Sequence, residues 1–211
     1  MFNTFGINFP VTPNPKLEKM KKLIIIIFAV TLASCKNTRN TQNTGAPADR
    51  FVIENLTAHS SNDLKRIYAD ANIKEDVGMF DEGTEERAYT ILFPDTEDEL
   101  HITWDNAGKT RIHDIRYTEK GKWKSNTGIK VGTTYEELNR LNGKEISFYG
   151  FGWDYSGAVV WNDGKFENSN IFVFLEGNSI PGDFYGDHII EATPEEITSM
   201  NLKVNTILYK K

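Results

Sequence analysis

Two periodicities of apolar residues alternate in the first half of the chain. Leu64, Ile67 and Tyr68 recur at helical spacing after a run of polar residues, which predicts a short helix. Turn-forming residues then separate three segments that are rich in β-branched and aromatic side chains. We expect these segments to form consecutive antiparallel strands, at residues 88–93, 99–104 and 111–117.

The second half of the chain repeats this order of a short helix followed by strands. A Thr with Glu three residues later opens the segment of residues 133–143, and Asn142-Gly143 closes it, so the segment predicts a capped helix. Near the C-terminus, Thr193 and Pro194 predict the start of another short helix ending near Met200. Strands are expected at residues 146–151, 158–161, 171–175 and 204–209.

These patterns favour an α+β fold, with an antiparallel sheet or sheets and a few short helices. One domain over residues 51–211 is expected, because that length suffices for one core. Trp104 and Trp161 each precede a turn that contains Gly and ends in Lys, which two tandem units at residues 51–124 and 125–211 would explain. Alternatively, the two segments resemble each other only because strand-turn-strand segments are generally alike.

The N-terminal region has the pattern of an export signal. Two lysines follow Met20, an apolar run occupies residues 23–32, and small residues precede Cys35. The run is about half as long as the roughly 20 apolar residues that cross a bilayer, so we interpret residues 20–34 as a cleaved signal peptide. Residues 1–19 contain three prolines and no periodic pattern, and we interpret them as sequence upstream of the true start.

The four residues Leu32-Ala33-Ser34-Cys35 resemble the lipobox of bacterial lipoproteins. The resemblance implies that Cys35 is acylated, that the chain is cleaved before it, and that the lipid attaches the protein to the cell envelope. Lys36, where enteric lipoproteins retained in the inner membrane carry Asp, favours the outer membrane. In the alternative interpretation, Cys35 is an ordinary free thiol.

The segment after Cys35 predicts a tether. Residues 36–50 are rich in Asn and Thr and hold no large apolar side chain, so we expect residues 35–50 to be disordered, with a reach of roughly 20 Å. Cleavage before Cys35 would remove four lysines and one glutamate from a chain of net charge −6, which leaves −9. Such a charge argues against nucleic acid or anionic lipid as a partner.

Motifs for catalysis, cofactors and metals are weak. The sequence has no Gly-x-Ser-x-Gly elbow and no phosphate-binding loop, so we predict no cofactor. The four histidines lack metal-ligand spacing, although His113-Asp114 and Asp187-His188 could converge in the fold. The acidic run at residues 95–99 lacks the ligand pattern of a calcium loop, and we interpret it as a solvated turn without a metal.

An aromatic segment with two glycines is the strongest candidate for a binding surface. Five aromatic residues lie within residues 148–155, so some rings should enter the core while others face solvent. We predict that Trp153, Asp154 and Tyr155 contact a partner, because Trp and Tyr often dominate binding energy. In the alternative interpretation, the segment is a bulged strand whose rings all cover the sheet.

Residues 128–143 (GIKVGTTYEELNRLNG), followed by strands, resemble the helix-plus-sheet unit of the BamE outer-membrane assembly lipoproteins and of β-lactamase inhibitor proteins. More loosely, the Gly-Phe-Gly-Trp-Asp-Tyr segment at residues 150–155 is similar to segments of Gram-negative envelope lipoproteins of unassigned function. These resemblances imply a non-catalytic role in binding or assembly, with a protein or glycan partner. The alternative is an envelope hydrolase of the glycosidase type that uses a carboxylate pair from Asp154, Asp183 and Asp187.

Overall fold

The computed structural model describes residues 49–211, so the predictions for residues 1–48, Cys35 included, lie outside the described residues. The α-helices of the described part are α1 (Ile53–Leu56), α2 (Ser61–Ile67), α3 (Tyr135–Asn142) and α4 (Pro194–Met200), and 3-10 turns occupy Asp49–Phe51 and Gly182–Phe184. The strands are β1 (Lys74–Phe80), β2 (Glu85–Leu92), β3 (Leu100–Trp104), β4 (Ile112–Tyr117), β5 (Ser147–Phe148), β6 (Val159–Val160), β7 (Ile171–Glu176) and β8 (Lys203–Lys210).

Six of these strands form one antiparallel sheet in the order β1-β2-β3-β4-β8-β7, and β5 pairs with β6 in a small second sheet. The structure therefore confirms the α+β class with antiparallel sheets and short helices. The first half of the chain supplies four consecutive strands of the main sheet, whereas the second half supplies two strands to it and two to the small sheet. None of the helices in residues 49–211 is long and apolar enough to cross a membrane.

The three predicted helix starts are confirmed, because α2, α3 and α4 are each capped by a Ser or Thr side chain. Ser60 caps α2, and its hydroxyl accepts a hydrogen bond from the backbone N–H of Asp63. Thr134 caps α3 in the same way, and Gly143 ends α3 in the left-handed conformation that glycine tolerates. Thr193 and Pro194 open α4 as predicted, with a complete capping box.

The structure differs from the predicted strands in two places. The edge strand β1 was not predicted, since its sequence KEDVGMF has charges at three successive positions and a central glycine. The expected strand at residues 146–151 is reduced to Ser147–Phe148. Beyond Phe148 the backbone pairs with residues 184–190 through single bridges, which is not a regular ladder.

The main sheet buries one face and exposes part of the other. Ile102, Ile115 and Ile207 share the buried face and cluster in the core with Leu64, Leu138 and Met200 from the helices. Because side chains alternate along a strand, Arg116 on β4 lies on the opposite face, where it is aligned with Leu208 of β8 and then Phe172 of β7. Arg116 and Phe172 are both exposed.

Candidate functional site

Residues 150–157, here called the aromatic loop, connect the two strands of the small sheet. Phe151 in the loop and Phe148 in β5 are buried and pack against each other, with ring centroids 5.9 Å apart. Trp153 is half-buried, and Tyr155 is 60% exposed. The expectation that the rings divide between core and solvent is therefore confirmed.

Backbone hydrogen bonds fasten the aromatic loop on two sides. The N–H of Gly150 donates to the carbonyl of His188 at 2.8 Å, and the N–H of Phe151 donates to the carbonyl of Phe184 at 2.9 Å. On the other side, the N–H of Leu175 in β7 donates to the carbonyl of Gly157 at 2.8 Å. The loop is thus attached both to residues 184–188 and to an edge of the main sheet.

Glycine is required at both attachment points because the backbones approach closely. A Cβ added at Gly150 would lie 2.5 Å from the carbonyl oxygen of Gly186. A Cβ at Gly157 would lie 2.2 Å from the carbonyl oxygen of Leu175, and Gly157 also has a φ of +69°. Any larger residue at either position would push the loop away from its support.

The three predicted partner residues have different surroundings. The indole N–H of Trp153 donates to the carbonyl of Gly150 at 2.8 Å, and its ring lies between Tyr149 and Tyr155, with centroids 5.7 and 5.2 Å away. Tyr155 therefore reaches solvent with one side packed against Trp153. Asp154 is exposed and has no hydrogen-bond or ion-pair partner among residues 49–211.

A concave pocket with a volume of about 480 Å³ lies beside the aromatic loop and extends onto the exposed face of the main sheet. We call it the concave site. Phe151, Gly152, Asp154 and Ser156 from the loop form one side of it. β4, β7, β8 and the segments next to them complete it with Arg116, Phe174, Leu175, Glu176, Gly177, Ile180, Tyr185, Asn205 and Thr206.

Tyr185 supplies an aromatic wall of the concave site. Its ring is 54% exposed and packs against Gly152, where an added Cβ would come within 2.9 Å of the ring. Tyr185 and Phe151 form an isolated bridge between their backbones. The absence of a side chain at Gly152 therefore brings this ring against the loop that carries Asp154.

Polar side chains also line the concave site. Glu176 accepts a hydrogen bond at 2.9 Å from the amide of Asn205, whose own oxygen accepts one from the hydroxyl of Thr206 at 2.6 Å. Arg116 has no ion pair or hydrogen bond within residues 49–211, although Asp154 and Glu176 line the same surface. The site therefore offers carboxylate, amide and guanidinium groups next to exposed ring surface.

Other candidate residues are not brought into this site. Asp183 and Asp187 are exposed and do not line the concave site, so of the three predicted carboxylates only Asp154 does. His113 faces Asp105 at 2.9 Å and Asp114 at 3.8 Å. Nowhere in the described part of the chain do three or more His, Cys, Asp or Glu residues form a group that could hold a metal ion.

The acidic run at residues 95–99 is engaged in ion pairs. Asp95 pairs with Lys74 at 2.9 Å and Asp98 with Lys122 at 2.5 Å. His101 binds Glu99 at 2.7 Å and, through that hydrogen bond, lowers the pKa of Glu99. Through these contacts, the carboxylates of the turn bind side chains of β1, of β3 and of the segment that contains Lys122.

Sequence reasoning missed most of the concave site. Alternation in Ile-His-Asp-Ile-Arg-Tyr does indicate that Arg116 lies opposite Ile115 and Tyr117, because both of these are buried. The segment around Tyr185 also carried a signal, since glycines flank it much as they flank the aromatic loop. No local pattern indicates that β7 and β8 lie beside β4.

Comparison with known proteins adds little. No protein family matches the chain, and no curated protein matches it either. Among solved structures, the chain is similar to the uncharacterized protein YfeY from Escherichia coli, with 16% identity and a TM-score of 0.43 over 70% of this chain and 88% of that one. A likeness at this level carries no inference about fold or function.

Proposed function

We propose that this chain is an envelope lipoprotein, attached to the outer membrane by a lipid on Cys35, whose folded part binds a glycan without catalysis. The export signal and the lipobox resemblance at residues 20–35 support the anchor and the location. The observation that carries the binding role is the concave site, which is lined by the exposed Tyr185 together with Arg116, Asp154 and Glu176.

A glycan suits this site because sugars present both apolar and polar surfaces. The C–H face of a sugar ring packs on an aromatic ring, while its hydroxyls both donate and accept hydrogen bonds. Asp154 and Glu176 can accept from hydroxyls, and Arg116 and Asn205 can donate to them. The volume of about 480 Å³ falls within the range of about 300–1,000 Å³ that is typical of small-ligand sites.

The same residues fit a protein partner less well. The centre of a protein interface is depleted of Asp and Glu, whereas Asp154 and Glu176 both line the concave site. Exposed apolar side chains also occur far from it, as at Val77 and Met79 on β1. The exposed apolar side chains are therefore not confined to the surroundings of the aromatic loop, where Tyr155, Tyr185 and Ile189 are exposed.

Binding of a glycan can be measured directly on the full chain in a mild detergent. The probe is soluble glycan strands from bacterial cell wall with their peptides removed, and the assay is isothermal titration calorimetry. We expect Tyr185→Ala to weaken binding about tenfold or more, as loss of an aromatic anchor does, because Tyr185 lines the concave site. Met79→Ala is the matched control, because Met79 is 58% exposed but lies on the other edge of the sheet.

The outcomes separate the alternatives. Absence of binding, or equal binding by wild type and Tyr185→Ala, would show that the concave site is not a glycan site. Photo-crosslinking from position 155 to an envelope protein, without glycan binding, would favour a protein partner instead. Trp153→Ala tests the structural alternative, since a sharp fall in melting temperature with unchanged affinity would make this ring purely structural.

A hydrolase remains the second candidate because Asp154 and Glu176 both line the concave site. A pair of carboxylates is the machinery by which most glycosidases cleave. Mass spectrometry of the glycan strands after prolonged incubation distinguishes the two functions. The binding proposal expects intact strands, whereas shortened strands with wild type but not with Glu176→Gln would favour the hydrolase.

A further inference from the structure

Arg116 differs from every other arginine in the described part of the chain. The other five arginines are held in ion pairs: Arg50 with Asp70, Arg66 with Asp63, Arg87 with Glu85 and Asp105, Arg111 with Asp105, and Arg140 with Glu137. Arg116 has no such partner, although the chain is acidic and carboxylates line the same surface.

The surroundings of Arg116 leave its guanidinium available to a ligand. It is exposed on the open face of the main sheet, and its strand neighbours Ile115 and Tyr117 are buried, so the backbone that carries it is fixed by the core. Leu208 and His101 lie opposite it on the adjacent strands, and neither provides a carboxylate. The planar fork of an arginine matches the two oxygens of a carboxylate.

We infer that Arg116 makes the concave site selective for a sugar that carries a carboxylate. This inference rests on the proposed glycan-binding function and adds the class of sugar. The Arg116 guanidinium would bind the carboxylate of the sugar, while Asp154, Glu176 and Asn205 bind its hydroxyl and amide groups.

The number of charges in the site favours one carboxylate over a phosphate or a polyanion. Asp154 and Glu176 carry negative charge on the surface that Arg116 shares. One negative charge on a ligand can be paired with the single guanidinium, whereas the second charge of a phosphate dianion would face the two carboxylates without a second cation to pair with. A mono-carboxylated, otherwise neutral sugar unit therefore fits best.

Two matched pairs of tetrasaccharides test the inference on the full chain. The first pair is β-1,4-linked N-acetylglucosamine and its counterpart in which every second sugar carries a lactyl carboxylate. The second is a hyaluronan tetrasaccharide and its carboxyl-reduced form. We expect the acidic member of at least one pair to bind about tenfold or more tightly than the neutral member, with the preference falling as salt rises from 0.05 to 0.5 M.

Substitutions assign the preference to Arg116. Arg116→Gln should remove the preference for the acidic member, change affinity for the neutral one less than about threefold, and leave the melting temperature unaltered. Arg116→Lys should retain part of the preference, because it keeps the charge but loses the fork. Arg140→Gln, which removes the same charge from the exposed side of α3, should behave as wild type.

Each outcome bears on one of the two proposals. Equal binding of acidic and neutral members, or a preference that survives Arg116→Gln, overturns the inference and leaves glycan binding intact. If no tetrasaccharide and no cell-wall glycan binds, the proposed function itself is wrong. Binding of inorganic phosphate that competes with the acidic tetrasaccharide at equal concentration would overturn the argument against a dianion.

Discussion

Glu75 on the edge strand β1 should be a major electrostatic anchor of the fold. Its carboxylate binds Lys65 of α2 at 2.6 Å and Lys109 of the β3–β4 turn at 3.1 Å, and it also accepts a hydrogen bond from the hydroxyl of Ser61. Its side chain is only 18% exposed. Burial raises the pKa of Glu75, but the hydrogen bonds from Lys65, Ser61 and Lys109 outweigh it and lower the pKa to about 2.

The pKa sets the size and the pH range of the effect. The shift from 4.5 to about 2 corresponds to about 3 kcal/mol of folding free energy, at about 1.4 kcal/mol for each unit. Because Lys65 is half exposed and can hydrate when its partner is removed, we expect Glu75→Gln to cost about 1–3 kcal/mol at pH 7. A carboxyl group whose pKa is lowered by folding stabilises the fold at pH values above its pKa in the unfolded chain. The contribution of Glu75 is therefore lost as the pH falls from about 4.5 to about 2.

Thermal unfolding of the full chain, followed by circular dichroism between pH 7 and 3, measures this effect. We expect Glu75→Gln to melt about 3–10 °C below wild type at pH 7, and the difference to shrink steadily below pH 4.5. Glu86→Gln is the control, because Glu86 is exposed on the neighbouring strand and has no ion pair in residues 49–211. A difference that stays constant from pH 7 to pH 3 would refute an electrostatic origin.

Three further predictions concern the anchor, the loop and a helix cap. Cys35→Ala should abolish incorporation of a fatty-acid analogue and cleavage of the signal, and persistent labelling would disprove the lipobox interpretation. Gly157→Ala should lower stability by about 2–4 kcal/mol and glycan affinity with it, because a Cβ there would overlap β7; a normal melting temperature would contradict the close contact. Thr134→Ala should cost about 1 kcal/mol in thermal unfolding through loss of the cap of α3, and an unchanged melting temperature would contradict that role.

The sequence predicts those elements whose signals are local. Side chains that cap helices act on backbone groups three residues away, so Ser60, Thr134 and Thr193 could be recognised without any knowledge of the fold. Strands β2, β3, β4, β7 and β8 alternate or concentrate apolar residues, and each was predicted within a few residues of its observed bounds.

Elements whose stability depends on distant partners were not predictable in this way. Three successive charged residues argue against a strand at residues 74–80 when the sequence is considered alone, and one of them, Glu75, is partly buried in the structure. In the structure, Lys65 and Lys109 compensate its burial, and they come from two segments separated from β1 in the chain. The concave site depends in the same way on the sheet order β4-β8-β7, which no local pattern encodes.

The glycines of the aromatic loop show how a local signal can be correct while its physical cause is different. From the sequence alone, Gly150 and Gly152 indicate a strand that can bend, so that the rings after them need not alternate between core and solvent. In the structure, the glycines act mainly by removing side chains where two pieces of chain touch: Gly150 against Gly186, Gly152 against Tyr185 and Gly157 against Leu175. These three contacts fix the loop against β7 and against Tyr185. Asp154 and Arg116 consequently border the same surface although 38 positions separate them in the chain.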